Sequence, residues 1–215
     1  VGRCRIQGSA ADRAKDVIVR WMREFHVPAY DEKTHKGLVR HIYVRTASAT
    51  GQVMVCLVVN GDRIPQESKL VENLLKNVDN LGTVLLSIHK KPGNAVLGDK
   101  FVTLYGSGHL EDTLCGLQFR LSPRSFYQVN HDQAEQLYEG ALQMAELTGQ
   151  ERAVDLYCGT GTISLVLAKR VKEVIGVEII EAAVADAWEN ARRNGIRNAA
   201  FRCADASKAA QDLAA

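Results

Sequence analysis

At 215 residues the chain has room for one large domain or two small ones. It is 46% hydrophobic and 24% charged, the ordinary balance of a globular protein, and its net charge of only +2 confines any nucleic-acid surface to a local patch. No run is apolar enough to span a bilayer and no signal peptide is recognisable, so no membrane partner is expected. The five cysteines (Cys4, Cys56, Cys115, Cys158 and Cys203) are odd in number and show no CxxC spacing. That pattern argues against a disulfide scaffold and for a reducing, cytoplasmic location.

In chain order, Ala14, Val17, Ile18, Trp21, Met22 and Phe25 recur at helical spacing. "GLVRHIYVRT" and "QVMVCLVV" predict two strands joined through "ATGQ" as a hairpin. In the first strand, Arg40 is expected on one face and His41, Tyr43 and Arg45 on the other. Leu70, Val71, Leu74, Leu75 and Val78 mark a second helix, and "TVLLSIHK" a strand stopped by "KPGN". Shorter strands are expected around "NAVLG", "FVTLYG" and "GLQFRLS". Residues 1–122 therefore predict a small α+β domain with a largely antiparallel sheet.

Residues 123–215 have a different rhythm. Asn130 can cap a helix whose apolar face includes Leu137, Ala141, Leu142, Ala145 and Leu147. Then come "RAVDLY", a helix over about 162–170, "EVIGVE", a helix over about 180–194 closed by Gly195, and "AAFRCA". Such alternation predicts parallel strands with crossover helices, a doubly wound α/β sheet.

The stretch "DLYCGTGTISL" (155–165) carries the chemistry. Gly159 and Gly161 let the backbone turn tightly and approach a ligand. The following helix is expected to present unpaired N–H groups. A dinucleotide fingerprint would place a third glycine where Ser164 stands, and a P-loop would need Gly-Lys-Ser/Thr. Glu178 ends the next strand, about twenty residues on, where a carboxylate suits a ribose diol. NAD and S-adenosylmethionine both fit that pattern. Asp155 favours the second, because an acid at the strand end suits a cationic amino group better than a pyrophosphate. Asp205, past the third strand, can accept from an adenine amino group or cap the helix that starts at Ala206.

"SFYQVN" (125–130), "DLYCGTGTISL", "IGVEII" (175–180) and "ENARRNGI" (189–196) resemble the RNA uracil-5-methyltransferases. Upstream, "YDEKTHKGLVRHIYVR" and "NAVLGDK" resemble the central domain of the bacterial 23S rRNA branch. The resemblance implies a partial class I, Rossmann-like methyltransferase sheet preceded by an α+β domain, whose basic run "KTHKGLVRHIYVR" (Lys33, His35, Lys36, Arg40, His41, Arg45) is expected to contact RNA phosphates. It implies methyl transfer from S-adenosylmethionine to C5 of a uridine, in ribosomal RNA or alternatively in tRNA. It carries Gln128, Tyr157, Glu178 and Asp205 over as cofactor contacts. In the family a cysteine thiolate adds to uracil C6 from a motif resembling S-C-N-P, which does not occur here, so Cys158 is expected to be packing. Cys4, in "CRIQ", resembles the last of four ligands to a [4Fe–4S] cluster, a group that only the full-length protein could hold; one cysteine cannot. The chain is thus expected to be the central part of such an enzyme and inactive alone, and either to be a trimmed piece of a longer protein or to cover its open sheet edge by association. Rival expectations are an NAD-dependent oxidoreductase with a degenerate fingerprint and a non-catalytic RNA-binding module.

Overall fold

The computed structural model describes residues 8–214. They form two compact units. One runs to Ala47 and resumes from Gly51 to Leu110; the other comprises Ser48–Thr50 and the chain from Glu111 onward. The division falls earlier than the expected 122/123 boundary, because the strand around "GLQFRLS", expected to close the first domain, belongs to the second unit.

The first unit contains α1 (Ser9–Glu24), β1 (Val39–Thr46), β2 (Val53–Val59), α2 (Glu67–Asn77), β3 (Leu81–Ile88) and β4 (Lys100–Gly106). The sheet order is β1-β2-β3-β4. The apolar stripe of α1 (Ala14, Val17, Ile18, Trp21) and Leu70 and Leu74 of α2 pack with Val55, Leu57, Val59, Val84 and Leu86 of the sheet in one core. β1 and β2 are the expected antiparallel pair. β2 and β3, however, run parallel, so the sheet is mixed rather than largely antiparallel. The α2 crossover makes β2-α2-β3 a βαβ unit, and both central strands are almost wholly buried.

Two further expectations are corrected here. "NAVLG" forms no strand; its segment is held as a loop, with the Gly98 N–H donating to Ser87 Oγ at 2.8 Å. Arg40 does not lie opposite to His41. The register shifts between Val39 and His41, so the two residues together oppose Val58. The Arg40 side chain is fully buried. Its guanidinium lies 4.3 Å from the Tyr30 ring centroid and donates to the carbonyls of His89 at 3.1 Å and Lys91 at 2.8 Å. Its charge is used inside the unit and is not offered to a phosphate.

The second unit contains a hairpin, β5 (Leu110–Leu114) and β6 (Leu117–Leu121), then α3 (His131–Met144). It continues through β7 (Arg152–Asp155), α4 (Thr162–Ala168), β8 (Glu173–Glu178), α5 (Glu181–Arg193), β9 (Ala199–Cys203) and α6 (Ala206–Ala214). The hairpin turns on Cys115 and Gly116, both at positive φ (+50° and +73°). β7, β8 and β9 are parallel in that order, as the alternation required. Gly195 (φ +64°) ends α5, with the Ile196 N–H returning to the Ala191 carbonyl at 3.0 Å. Asn130 caps α3 by accepting from the Gln133 N–H. The buried face of α3 is Ala134 and Tyr138; Leu137, Ala141 and Ala145, expected inward, are exposed. No helix among the described residues is long and apolar enough to cross a membrane.

Candidate functional site

The site lies at the carboxyl ends of β7 and β8, where open parallel sheets bind ligands. β7 ends at Asp155, and the chain turns through Leu156–Gly161 into α4. Gly161 (φ +82°) must be glycine on two counts: its backbone is left-handed, and a Cβ would lie 3.2 Å from the Phe201 ring and from Ala187. Gly159 (φ +54°) differs, because a Cβ there would meet nothing within 4 Å. Its open side is where a ligand can approach the backbone.

Two carboxylates bracket this turn. Asp155 Oδ2 accepts from Ser164 Oγ at 2.7 Å, and Oδ1 from the Tyr157 N–H at 3.3 Å. Glu178 Oε2 accepts from the Gly159 N–H at 3.1 Å, and Oε1 from the Ile179 and Ile180 N–H groups at 2.8 and 3.0 Å. Ser164 is fully buried, so the position that breaks the dinucleotide fingerprint carries a hydroxyl that orients Asp155. Sequence reasoning saw only a missing glycine there.

Tyr157 is 82% exposed, which excludes a core role, and Ile179 and Ile180 are exposed beside Glu178. Asp205 caps α6: its Oδ1 accepts from the Ser207 and Lys208 N–H groups at 3.0 and 3.2 Å. These bonds, the Lys208 one first, hold its carboxyl below the usual range. The Ala204 N–H donates to the Glu178 carbonyl at 3.0 Å, placing Asp205 one residue beyond the Glu178 strand end. Gln128 stands exposed before α3. The segment that carries it is anchored by Ser125, whose Oγ donates to Asp186 Oδ2 of α5 at 2.8 Å.

Cys158 is buried. Burial first, then the nearby carboxylates of Asp155 and Glu178, push its thiol up to about 12. It is a packing group: a Cβ on Gly176 would lie 3.0 Å from its sulfur. Cys4 lies outside the described residues. Among the described residues no three His, Cys, Asp or Glu side chains converge as a metal site. A cavity of about 490 Å³ lies elsewhere, at the far end of α4. Its charges are paired within its own walls, Arg170 with Glu139 and Lys169 with the Cys115 carbonyl.

Residues 147–215 match a family model described as a methyltransferase domain. An RNA methyltransferase of Halalkalibacterium halodurans, described as uncharacterized, is 40% identical over 205 residues, which are 95% of this chain and 45% of that protein. A second, from Clostridium acetobutylicum and described in the same way, is 41% identical over 201 residues, 94% of this chain and 44% of that protein. The chain thus spans about half the length of the curated relatives it matches. Among solved structures, the tRNA (uracil-54, C5)-methyltransferase of Pyrococcus abyssi, in complex with S-adenosyl-L-homocysteine, superposes with a TM-score of 0.80. The superposition covers 95% of this chain and 49% of that one at 22% identity. At that identity the likeness establishes the fold, an α/β, Rossmann-like methyltransferase fold.

Proposed function

We propose that this chain is the cofactor-binding part of an RNA methyltransferase that moves a methyl group from S-adenosylmethionine to C5 of a uridine. The observation that carries the reading is the pair of carboxylates, Asp155 and Glu178, bonded to the two sides of one glycine turn. A pyrophosphate at that turn would face two negative charges. A cationic amino acid joined to a ribose would meet an acceptor at each end.

The chain's own residues bind and orient in this reading. Glu178 accepts from the ribose hydroxyls, and Asp155 stabilises the methionine amino group. Gly159 and Gly161 keep the turn clear of side chains, while Tyr157 and Gln128 line the approach. Asp205 turns its second oxygen to the adenine amino group while the first caps α6. When bound, the cofactor supplies an electrophilic methyl group. The buried thiol of Cys158 does not serve as a nucleophile. The uracil specificity and the preference for 23S ribosomal RNA rest on the sequence resemblance, and the relatives named as RNA methyltransferases support an RNA partner. In a longer chain Cys4 would be one of four cluster ligands, and the site of action would be the cytoplasm.

The test uses the protein carrying this sequence in its full reading frame, with methyl-labelled S-adenosylmethionine and RNA. Digestion to nucleosides should place the label in 5-methyluridine. Label in another nucleoside, or none in RNA, would contradict the reading.

A further inference from the structure

Helix α5 holds β6 by means of side chains. β6 pairs with β5, and its other edge faces Asn190 and Asn194. Asn194 Oδ1 accepts from the Gln118 N–H at 2.8 Å, and its Nδ2 donates to the Gln118 carbonyl at 2.7 Å. One amide side chain thereby replaces a neighbouring strand. Asn190 Oδ1 accepts from the Arg120 N–H, again at 2.8 Å. The spacing matches on both sides: four residues of helix advance about 6 Å, and two residues of strand about 6.7 Å.

The second half of the Asn190 amide does something different. Its Nδ2 turns away from the strand and donates to the Thr160 carbonyl at 3.1 Å. Thr160 lies between Gly159 and Gly161, the two glycines of the candidate site. One turn earlier on α5, Asp186 accepts from Ser125 in the segment that leads to Gln128. Asp186, Asn190 and Asn194, at i, i+4 and i+8, make one stripe along the helix. Asn190 itself is completely buried, so its bonds have no water to replace them.

We propose that Asn190 is a positioning residue for the cofactor turn: it fixes the Thr160 carbonyl, and with it the turn's shape, against β6. The inference rests on the S-adenosylmethionine reading above. It assigns a role to a residue that would not touch the cofactor, and it couples the turn to the segment bearing Gln128. Asn194 is the matched control, since it latches the same strand from the same helix without reaching the turn.

The experiment measures S-adenosylhomocysteine affinity by calorimetry and local amide exchange by mass spectrometry, on the protein in its full reading frame. Asn190→Asp keeps an acceptor for Arg120 but loses the donor to Thr160. It should weaken binding about tenfold or more and speed exchange over residues 156–164, while 117–121 stay protected. Asn194→Ala should speed exchange over 117–121 and leave affinity within about threefold of the parent. Because Asn190→Asp places a carboxylate in a buried site, Asn190→Ala is measured beside it. A cooperatively melting Asn190→Ala or Asn190→Asp with the parent's affinity would overturn the inference, as would an Asn194→Ala that weakens binding as much as either. A parent that binds no S-adenosylhomocysteine would instead overturn the reading beneath it.

Discussion

Glu178 holds three backbone N–H groups, those of Gly159, Ile179 and Ile180, with one carboxylate. Its orientation is therefore set before any ligand arrives. Glu178→Ala removes a charged acceptor and should weaken S-adenosylmethionine binding by about 1.5–3 kcal/mol, roughly 10- to 150-fold; calorimetric titration reads this directly. Cys158 tests the opposite claim. Its thiol is buried and pushed up to about 12, so little thiolate forms near neutral pH. Cys158→Ala in the full reading frame should still be trapped covalently on 5-fluorouracil RNA, as judged by a denaturant-resistant band. Loss of that adduct with cofactor binding intact would make Cys158 the nucleophile. Gly176 is a packing test beside it. A Cβ there would sit 2.5 Å from the Phe201 ring, so Gly176→Ala should destabilise the unit by about 1–3 kcal/mol in denaturant unfolding.

The turn that feeds β7 is an element held together by one carboxylate. Glu151 accepts from the Thr148 hydroxyl and N–H and from the Gly149 N–H. These bonds, the Thr148 hydroxyl first, lower its pKa from 4.5 to about 2. A lowered folded-state pKa stabilises the fold above the unfolded value, and the contribution fades as pH falls from 4.5 towards 2. Glu151→Gln should flatten the acid side of a Tm-against-pH curve in that window. Elements of this unit were legible in sequence because strands and helices alternate, and because Gly195 and Asn130 sit at helix ends for clear steric and hydrogen-bonding reasons. β5 was missed because Cys115-Gly116 is an unusual pair for a left-handed two-residue turn. The parallel β2-β3 pair was missed because both strands are buried on both faces and show no alternation to orient them. Arg40 was misplaced by a register shift that no periodicity reveals. In the candidate site, the placing of Asp155, Glu178 and the glycines at strand ends and in one turn could be read from spacing. Ser164 and Asn190 could not, since a buried serine and a buried asparagine look like ordinary helix residues until their partners are placed.

Across the whole molecule, β7 is the edge of its sheet among the described residues and pairs there with β8 alone. Val154 on that strand and Ile163 on the following helix are 45% and 36% exposed. A parallel edge with apolar flanks invites pairing. A polypeptide of residues 1–215 is therefore expected to associate, and light scattering behind size exclusion should show more than one chain; a cooperatively unfolding monomer would contradict this. The central claim is that the glycine turn between Asp155 and Glu178 holds S-adenosylmethionine rather than a dinucleotide. The most direct test is to titrate the protein, in its full reading frame, with S-adenosylmethionine and with NADH, each with and without Glu178→Ala. The account predicts saturable binding of S-adenosylmethionine that Glu178→Ala weakens, with no comparable NADH binding. Tighter binding of NADH, or S-adenosylmethionine binding indifferent to Glu178→Ala, would contradict it.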